Sequence, residues 1–507
     1  MALTDNKYGF DLNKDNPFVI FRLLAKIARE KVGVDKVLDL SRGDPGYGFA
    51  PSIRGRKLYS FWVALDTHFN NFESHFKDRG HDSADQVVSE VKEFAEKNYQ
   101  PEVARELLEL FHEFVEKLCV AGEAQAGWDK FDVLFRMFKY SAGAGGYYHD
   151  PYGECIARVA VADWHSRNLG LPVHYTDLIF TEGASHAIGT FFKAFGAEAK
   201  GFLKKGDTAL ITTPVYFPYL GILENRGIKI ETLPVDLETG QFTPDAFEKA
   251  AKIKPKIIFL VDPDNPTGLP KNEESLRRLA DYAEEKDALI LSDEVYFSFF
   301  EQKKSILNFA PRRTIRIDAR SKIERATGCR FGEYIILPEA NEYLSQKLKK
   351  YFPEGVSDLK TYLHDAKAPG GVLGEFRHTT FVAGPAQLLG TCHVVLGDCA
   401  REKYCGIVKQ NMQTWYENLG MPWKGNFYYS LLDLNSLASE AKQKVPAEQK
   451  LLDLANRGVV LIPANRFFSE NDRKQKDRTN FIRASLPNLT TAQVGEAARK
   501  IKEYMAD

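Results

Sequence analysis

Three short segments carry residue types that can act together on one small molecule. Asn265-Pro266-Thr267-Gly268 supplies an amide, and Asp293-Glu294-Val295-Tyr296 a carboxylate and a phenol. Ser321-Lys322, followed eight residues on by Arg330, adds an amine and a guanidinium. A lysine in the core of a domain needs a reason, because an isolated buried ammonium is expensive. Joined as an imine to an aldehyde it is well placed, and burial tunes its basicity toward neutral pH. Asp293 suits a protonated pyridine nitrogen, which makes the ring an electron sink. Tyr296 and Asn265 offer hydrogen bonds to a phenolic oxygen. Ser321 and the planar fork of Arg330 suit a phosphate. The plainer readings are a surface lysine with a solvated arginine, a helix-capping aspartate with a core tyrosine, and an ordinary Asn-Pro turn.

Further segments extend the list. Thr181-Glu182-Gly183-Ala184-Ser185-His186 joins a strand to a helix, where backbone N–H groups and the Ser185 hydroxyl form a phosphate cradle. Tyr216 ends another strand and offers a ring face for stacking; as plain core it would need no ligand. Arg483 stands in the apolar run Phe481-Ile482-Arg483-Ala484-Ser485. Its fork fits a substrate α-carboxylate, or else an interdomain salt bridge.

The elements that must position these groups alternate from residue 150 onward. Helices are expected at 156–167 and 185–195, and strands at 177–181, 207–213, 228–233, 256–261, 288–292 and 313–318. Continuous aliphatic strands between helical stretches argue for an α/β fold with a mostly parallel, doubly wound sheet. Ligands gather beyond the carboxyl ends of such strands, and all three opening segments fall there. Before this region, Phe18, Phe21, Leu24 and Ile27 mark an amphipathic helix capped by Asp15 or Asn16. The stretch 55–140 reads as a charged helical insertion. The division is 1–54 as the N-terminal part of a small domain, 55–140 as the insertion, 141–345 as a large cofactor domain and 346–507 as a small α+β domain.

Composition bounds the reading. The 507 residues are 44% hydrophobic and 27% charged with a net charge of −1, the balance of a globular protein that needs neither nucleic acid nor an anionic membrane surface as partner. No run approaches the roughly 18 apolar residues of a membrane span, and the first residues do not read as a signal peptide. The six cysteines lack Cys-x-x-Cys spacing, so reduced thiols in a cytoplasmic setting are expected, with no metal site.

The set resembles the fold-type I, class I/II pyridoxal-phosphate-dependent aminotransferases, from about Tyr148 to Tyr334 and more loosely from Phe427 to the end. Asp293 follows Asn265 by 28 residues and Arg330 follows Lys322 by eight, both familiar spacings in that family. The resemblance implies Lys322 as the Schiff-base lysine (the internal aldimine) and general base, and Asp293 as the partner of the pyridine nitrogen. Asn265 and Tyr296 would bind the phenolic oxygen. Ala184, Ser185, Ser321 and Arg330 would hold the phosphate, and Tyr216 would stack on the ring. Gly43, Asn265 and Arg483 would meet the substrate. Tyr148 matches a tyrosine given to the neighbouring subunit's phosphate site, which implies a homodimer with shared active sites, or a higher oligomer.

The sequence also leaves the family's pattern. Ala319 stands where many relatives place a phosphate-binding serine, and either one contact is missing or Arg320 replaces it. The insertion, with Arg42-Gly43-Asp44-Pro45 and His378-Thr379, resembles aspartate 4-decarboxylases of the same fold. The leading expectation is an aminotransferase moving an amino group between an L-amino acid and a 2-oxo acid. The alternative is an aspartate 4-decarboxylase-like lyase, and a remote one a non-catalytic ligand sensor. A second substrate carboxylate would draw on Arg42, Arg377 or Arg466.

Overall fold

The computed structural model describes residues 9–46, 52–69, 83–139, 150, 152–196, 201–352, 356–364 and 382–507. Twelve strands fall among them: β1 Leu38–Asp39, β2 Leu178–Thr181, β3 Thr208–Thr213, β4 Lys229–Pro234, β5 Ile257–Val261, β6 Leu289–Asp293, β7 Thr314–Ala319, β8 Gly332–Ile335, β9 Tyr429–Asp433, β10 Val459–Val460, β11 Ile462–Pro463 and β12 Phe481–Ser485. The chain divides into two compact units. The first comprises Met1–Phe49, Lys205–Ala288 and Tyr404–Asp507; the second comprises Ala50–Lys204 and Leu289–Lys403.

In the first unit β3 pairs in parallel with both β4 and β5. All five residues of β5 are buried, as expected of a strand covered on both faces. Antiparallel β11, β12 and β9 form a second sheet, and β1 runs parallel to β10. The helix Pro17–Val32 begins as expected, with the Asn16 side chain accepting the Phe18 N–H. Its Phe18 ring lies 4.8 Å from Phe217 and 6.3 Å from Tyr216.

In the second unit the order is β2-β8-β7-β6, with β6 and β7 parallel and β8 antiparallel to both neighbours. The sequence reading contains no strand at β8. The connection from β7 holds a turn and the short 3-10 helix Thr327–Cys329, with no α-helical crossover, and β8 returns antiparallel. Apart from β8 the strands of this sheet are parallel, in the α/β class expected. The insertion is helical: Ile53–Phe69, Ala84–Asn98, Pro101–Ala126 and Lys130–Lys139. Their apolar stripes close one core with Ile156, Val159, Leu388 and Cys392, so these helices pack on the body of their own unit. Among the described residues no helix is long and apolar enough to cross a membrane, and all six cysteines are free.

Candidate active site

The second unit holds the amine, the carboxylate and the phosphate-binding candidates. Asp293 is the last residue of β6 and is buried; its Oδ1 accepts the Val295 N–H at 3.3 Å. The chain turns at once, and Tyr296 comes to lie buried with its ring centre 5.9 Å from Lys322 Nζ. Lys322 is half-buried on a turn just beyond β7, and Ser321 beside it is buried. The structure therefore brings Lys322 and Tyr296 together at the carboxyl ends of adjacent parallel strands, where the α/β rule puts a ligand.

Three of the phosphate candidates, Ala184, Ser185 and Arg330, meet at the start of the helix Ala184–Phe195. Gly183 caps it at φ 79°. Arg330, also left-handed at φ 52°, donates Nη2 to the Glu182 carbonyl at 2.9 Å and Nη1 to the Thr327 carbonyl at 3.2 Å. A Cβ on Gly183 would stand 2.8 Å from Arg330 Nη2, so only glycine lets the guanidinium lie across this helix start. The amides of Ala184 and Ser185 belong to the first turn, whose N–H groups have no intrahelical partner. Cradle, amine and carboxylate together fit a phosphorylated pyridine aldehyde.

Arg320 does not join that cradle. It is fully buried, its Nη2 donates to Glu333 at 2.7 Å, and its Cζ lies 4.1 Å from the centre of the Trp164 ring. Arg316 and Asp318 project from one face of β7 into a buried ionic network, as alternate residues of a strand must, and Arg320, just past its end, joins them. Arg316 donates to Glu294 at 2.8 Å and to Asp318 at 2.9 Å, and Glu294 also accepts from Ser292 and Ser305. His165 Nε2 lies 2.7 Å from Glu333, and Arg316 Nη1 lies 3.5 Å from His165 Nδ1. Burial, with the Arg316 and Arg320 charges adding to it, holds His165 well below its usual pKa. Burial pushes Glu333 up, against the pull of Arg320 and Arg316. His165, Asp318 and Glu333 have ligand atoms within 4.8 Å of one another. Two guanidiniums already occupy those carboxylates, so the cluster is an ion-pair network.

The first unit holds the other candidates. Arg483 on β12 is 2% exposed. Its Nη1 donates to Asn265 Oδ1 at 3.3 Å and its Nη2 to the Ser41 carbonyl at 2.8 Å. Its Cζ lies 4.5 Å from the centre of the Tyr429 ring and 5.5 Å from that of Phe467. Among the described residues no carboxylate pairs with it, and its Nε has no partner at all. Gly43 packs beside it, where a Cβ would meet Tyr429 Oη at 2.8 Å. Burial raises the Tyr216 phenol, with Arg483 lowering it and Tyr429 raising it further. Asn265 is fixed from its own turn: Asp264 pairs with buried Lys271 at 2.6 Å, and a Cβ on Gly268 would come 2.6 Å from the Tyr429 carbonyl. Gly43, Tyr216, Asn265 and Arg483 are thus gathered around one guanidinium. Tyr429, on β9, lies under Arg483 without any mark in the sequence pattern.

Of the arginines considered for a second carboxylate, Arg42 pairs with Asp44 at 2.8 Å. Arg466 donates to the carbonyls of Asn13 and Lys14 at 3.4 and 3.2 Å. Arg377, Tyr148 and His378-Thr379 lie outside the described residues.

Comparison with known proteins adds an independent line. The family described as aminotransferase class I and II matches residues 133–372. A bifunctional aspartate aminotransferase and L-aspartate beta-decarboxylase of Pseudomonas is 27% identical over 372 residues, 66% of this chain and 68% of that protein. An aspartate aminotransferase of Pyrococcus horikoshii is 32% identical over 186 residues, 36% of this chain and 45% of that protein. Among solved structures, an aminotransferase from Mycobacterium tuberculosis superposes with a TM-score of 0.63 at 16% identity, covering 100% of this chain and 99% of its own. That likeness is one of fold.

Proposed function

Because the chain belongs to the fold-type I pyridoxal-phosphate-dependent aminotransferase family, we propose that it transfers an amino group between an L-amino acid and a 2-oxo acid. One observation carries the substrate side of this reading. Arg483 is a buried cation whose partners are an amide oxygen, a carbonyl oxygen and two aromatic faces. An unpaired buried charge is costly, and a substrate carboxylate supplies the missing anion in bidentate form.

When bound, pyridoxal phosphate supplies an aldehyde for the amino group and a ring that draws electrons from it. Lys322 would be the amine that holds the aldehyde, and the group that would move a proton at the substrate Cα as general base and general acid. Asp293 would hold the ring nitrogen protonated. Asn265 and Tyr296 would hydrogen-bond the phenolic oxygen, and Tyr216 would cover the ring. Ala184, Ser185, Ser321 and Arg330 would hold the phosphate. Arg483, lined by Gly43 and Asn265, would grip the substrate carboxylate. We also propose a homodimer in which Tyr148 serves the neighbouring site, a cytoplasmic setting, and a large cofactor domain at 141–345 with the flanking 1–54 and 346–507 forming the small one.

The test is Lys322→Ala. Its expected outcome is a folded protein without visible cofactor absorbance and with turnover reduced by about 10³-fold or more; native turnover in that variant would end the assignment. A second reading, decarboxylation of aspartate at its β-carboxylate, is favoured by the extent of the match to the bifunctional Pseudomonas enzyme. Incubation with L-aspartate alone separates the two. Alanine and carbon dioxide formed without added 2-oxo acid mark the decarboxylase, and strict dependence on a 2-oxo acid marks the aminotransferase.

A further inference from the structure

Lys322 stands on a turn, residues 320–324, with neither helix nor strand to fix it. Two backbone bonds hold its ends: Arg320 N–H to the Phe331 carbonyl at 2.9 Å, and Arg325 N–H to the Lys322 carbonyl at 3.1 Å. A turn so lightly bonded takes its position from its side chains. The side chains two residues before and two residues after the lysine are both buried ions. Arg320 is bound to Glu333 and lies over Trp164, as described. Glu324, 3% exposed, pairs with Arg401. Arg401 also pairs with Asp398 and donates to the carbonyls of His393 and Val394 at 3.1 and 3.3 Å, in the last turn of the helix Gly384–Leu396. Its Cζ lies 5.9 Å from the same Trp164 ring.

One buried indole therefore meets both guanidiniums that anchor the flanks of Lys322. The backbone makes room for this. A Cβ on Gly397 would stand 2.8 Å from Arg401 Nη1 and 3.0 Å from Glu324 Oε2, so a larger residue there intrudes on the pair. Stability alone gives no reason for such a choice, since well-packed apolar residues replace buried ion pairs at little or no cost. Directional contacts at both ends of a short turn fix where its central side chain points.

We propose that Arg320, Trp164, Arg401 and Glu324 form a bracket that positions the Lys322 amine, acting through the turn rather than on the substrate. The bracket rests on the reading of Lys322 as the lysine that joins the cofactor. Misplacing a reacting group by about 1 Å costs up to about 100-fold in rate, which sets the scale of the effect.

The experiment uses the full chain stripped of cofactor. Pyridoxal 5′-phosphate is added, and the C=N bond between its aldehyde carbon and Lys322 Nζ, formed with release of one water, is followed by visible absorbance. The variants are Glu324→Gln with Arg401→Met, which removes both charges of one pair together, and Trp164→Phe, which leaves both ion pairs. The double variant is expected to melt within a few degrees of wild type while C=N formation and kcat fall about 10-fold or more. KM for the best amino donor of a panel should stay within about twofold, because Arg483 is untouched. Trp164→Phe should move the same two rates in the same direction by a smaller factor. A folded double variant with both rates within about twofold of wild type overturns the bracket. If that variant does not fold, Trp164→Phe decides, and unchanged rates in it overturn the bracket equally. Failure of the wild-type chain to form the C=N bond is a different result: it removes the reading of Lys322 itself.

Discussion

Two sets of buried arginines differ in their partners. In the second unit, Arg316, Arg320 and Arg401 each have at least one carboxylate: Glu294 and Asp318, Glu333, and Glu324 with Asp398. In the first unit, Arg483 is buried to the same degree and has only neutral partners. A guanidinium already neutralised is part of the frame that holds a site. One left with carbonyls, an amide and aromatic faces keeps its charge for something that arrives. The difference sets Arg483 apart from the frame and supports its proposed role as a binding group.

The largest effect expected from this contrast is on the frame. Arg316→Met strands Glu294 as a buried anion and leaves Asp318 with Arg320 at 3.5 Å, and should cost about 3–5 kcal/mol in stability by denaturant unfolding. Arg483→Met should do the reverse: it gives up two hydrogen bonds worth about 0.5–1.5 kcal/mol each but also removes an uncompensated charge, so its unfolding midpoint should move little. Its kcat/KM for the amino donor should fall by about 100-fold, the scale of losing one buried charged hydrogen-bond partner. If Arg483→Met unfolds as readily as Arg316→Met, both arginines are frame and the contrast is void.

Gly43 sharpens the same contrast on a smaller scale. Its alanine variant puts a methyl 2.8 Å from Tyr429 Oη and 3.8 Å from Arg483 Nη2. Overpacking of this kind costs about 1–3 kcal/mol, and here the strain falls on the ring beneath Arg483. KM for the amino donor should rise in Gly43→Ala. Adding Tyr429→Phe removes the crowded oxygen and should recover much of the loss, a coupling that a double-mutant cycle reads directly. Additive effects would show that Gly43 and Tyr429 do not act on Arg483 together.

The sequence showed the binding half of this picture better than the frame. The strands that precede Asn265 and end at Asp293 are runs of aliphatics followed by polar turns, and such runs mark their own ends. Strand β8 escaped because Gly332-Glu333-Tyr334-Ile335 is short and carries a charge that is buried only by pairing with Arg320. The frame left one visible trace, the alternation Arg316-Ile317-Asp318-Ala319-Arg320. Three charges at a spacing of two in a strand otherwise read as core are the anomaly worth following. Arg401 left none. It pairs with Glu324 across 77 residues of sequence, and only the fold brings them together. Tyr429 was hidden in the run Phe427-Tyr428-Tyr429, where the alternation of a strand does not say which ring faces a charge.

The smallest effect concerns His165, the one member of the frame whose ordinary pKa lies near neutrality. It is fully buried, and burial together with Arg316 and Arg320 holds its folded-state pKa well below 6.5. Below pH 6.5 the unfolded chain takes up a proton at this residue and the folded chain does not. The unfolded state then binds more protons, so stability falls as the pH falls, by up to about 1.4 kcal/mol per pH unit from this one group. Glu333, raised by burial, opposes it in the window above 4.5, where the folded chain retains a proton that the unfolded chain has lost. The measurable quantity is therefore the difference between wild type and His165→Asn. Unfolding free energies taken from pH 7.5 down to 5.5 should fall less steeply in the variant, because the histidine proton is gone. Arg483→Met, in contrast, should leave the wild-type slope intact. Parallel slopes for wild type and His165→Asn would mean that the histidine is charged within the folded frame, and that Glu333 carries its partner's proton balance in a way the ion pairs around it do not predict.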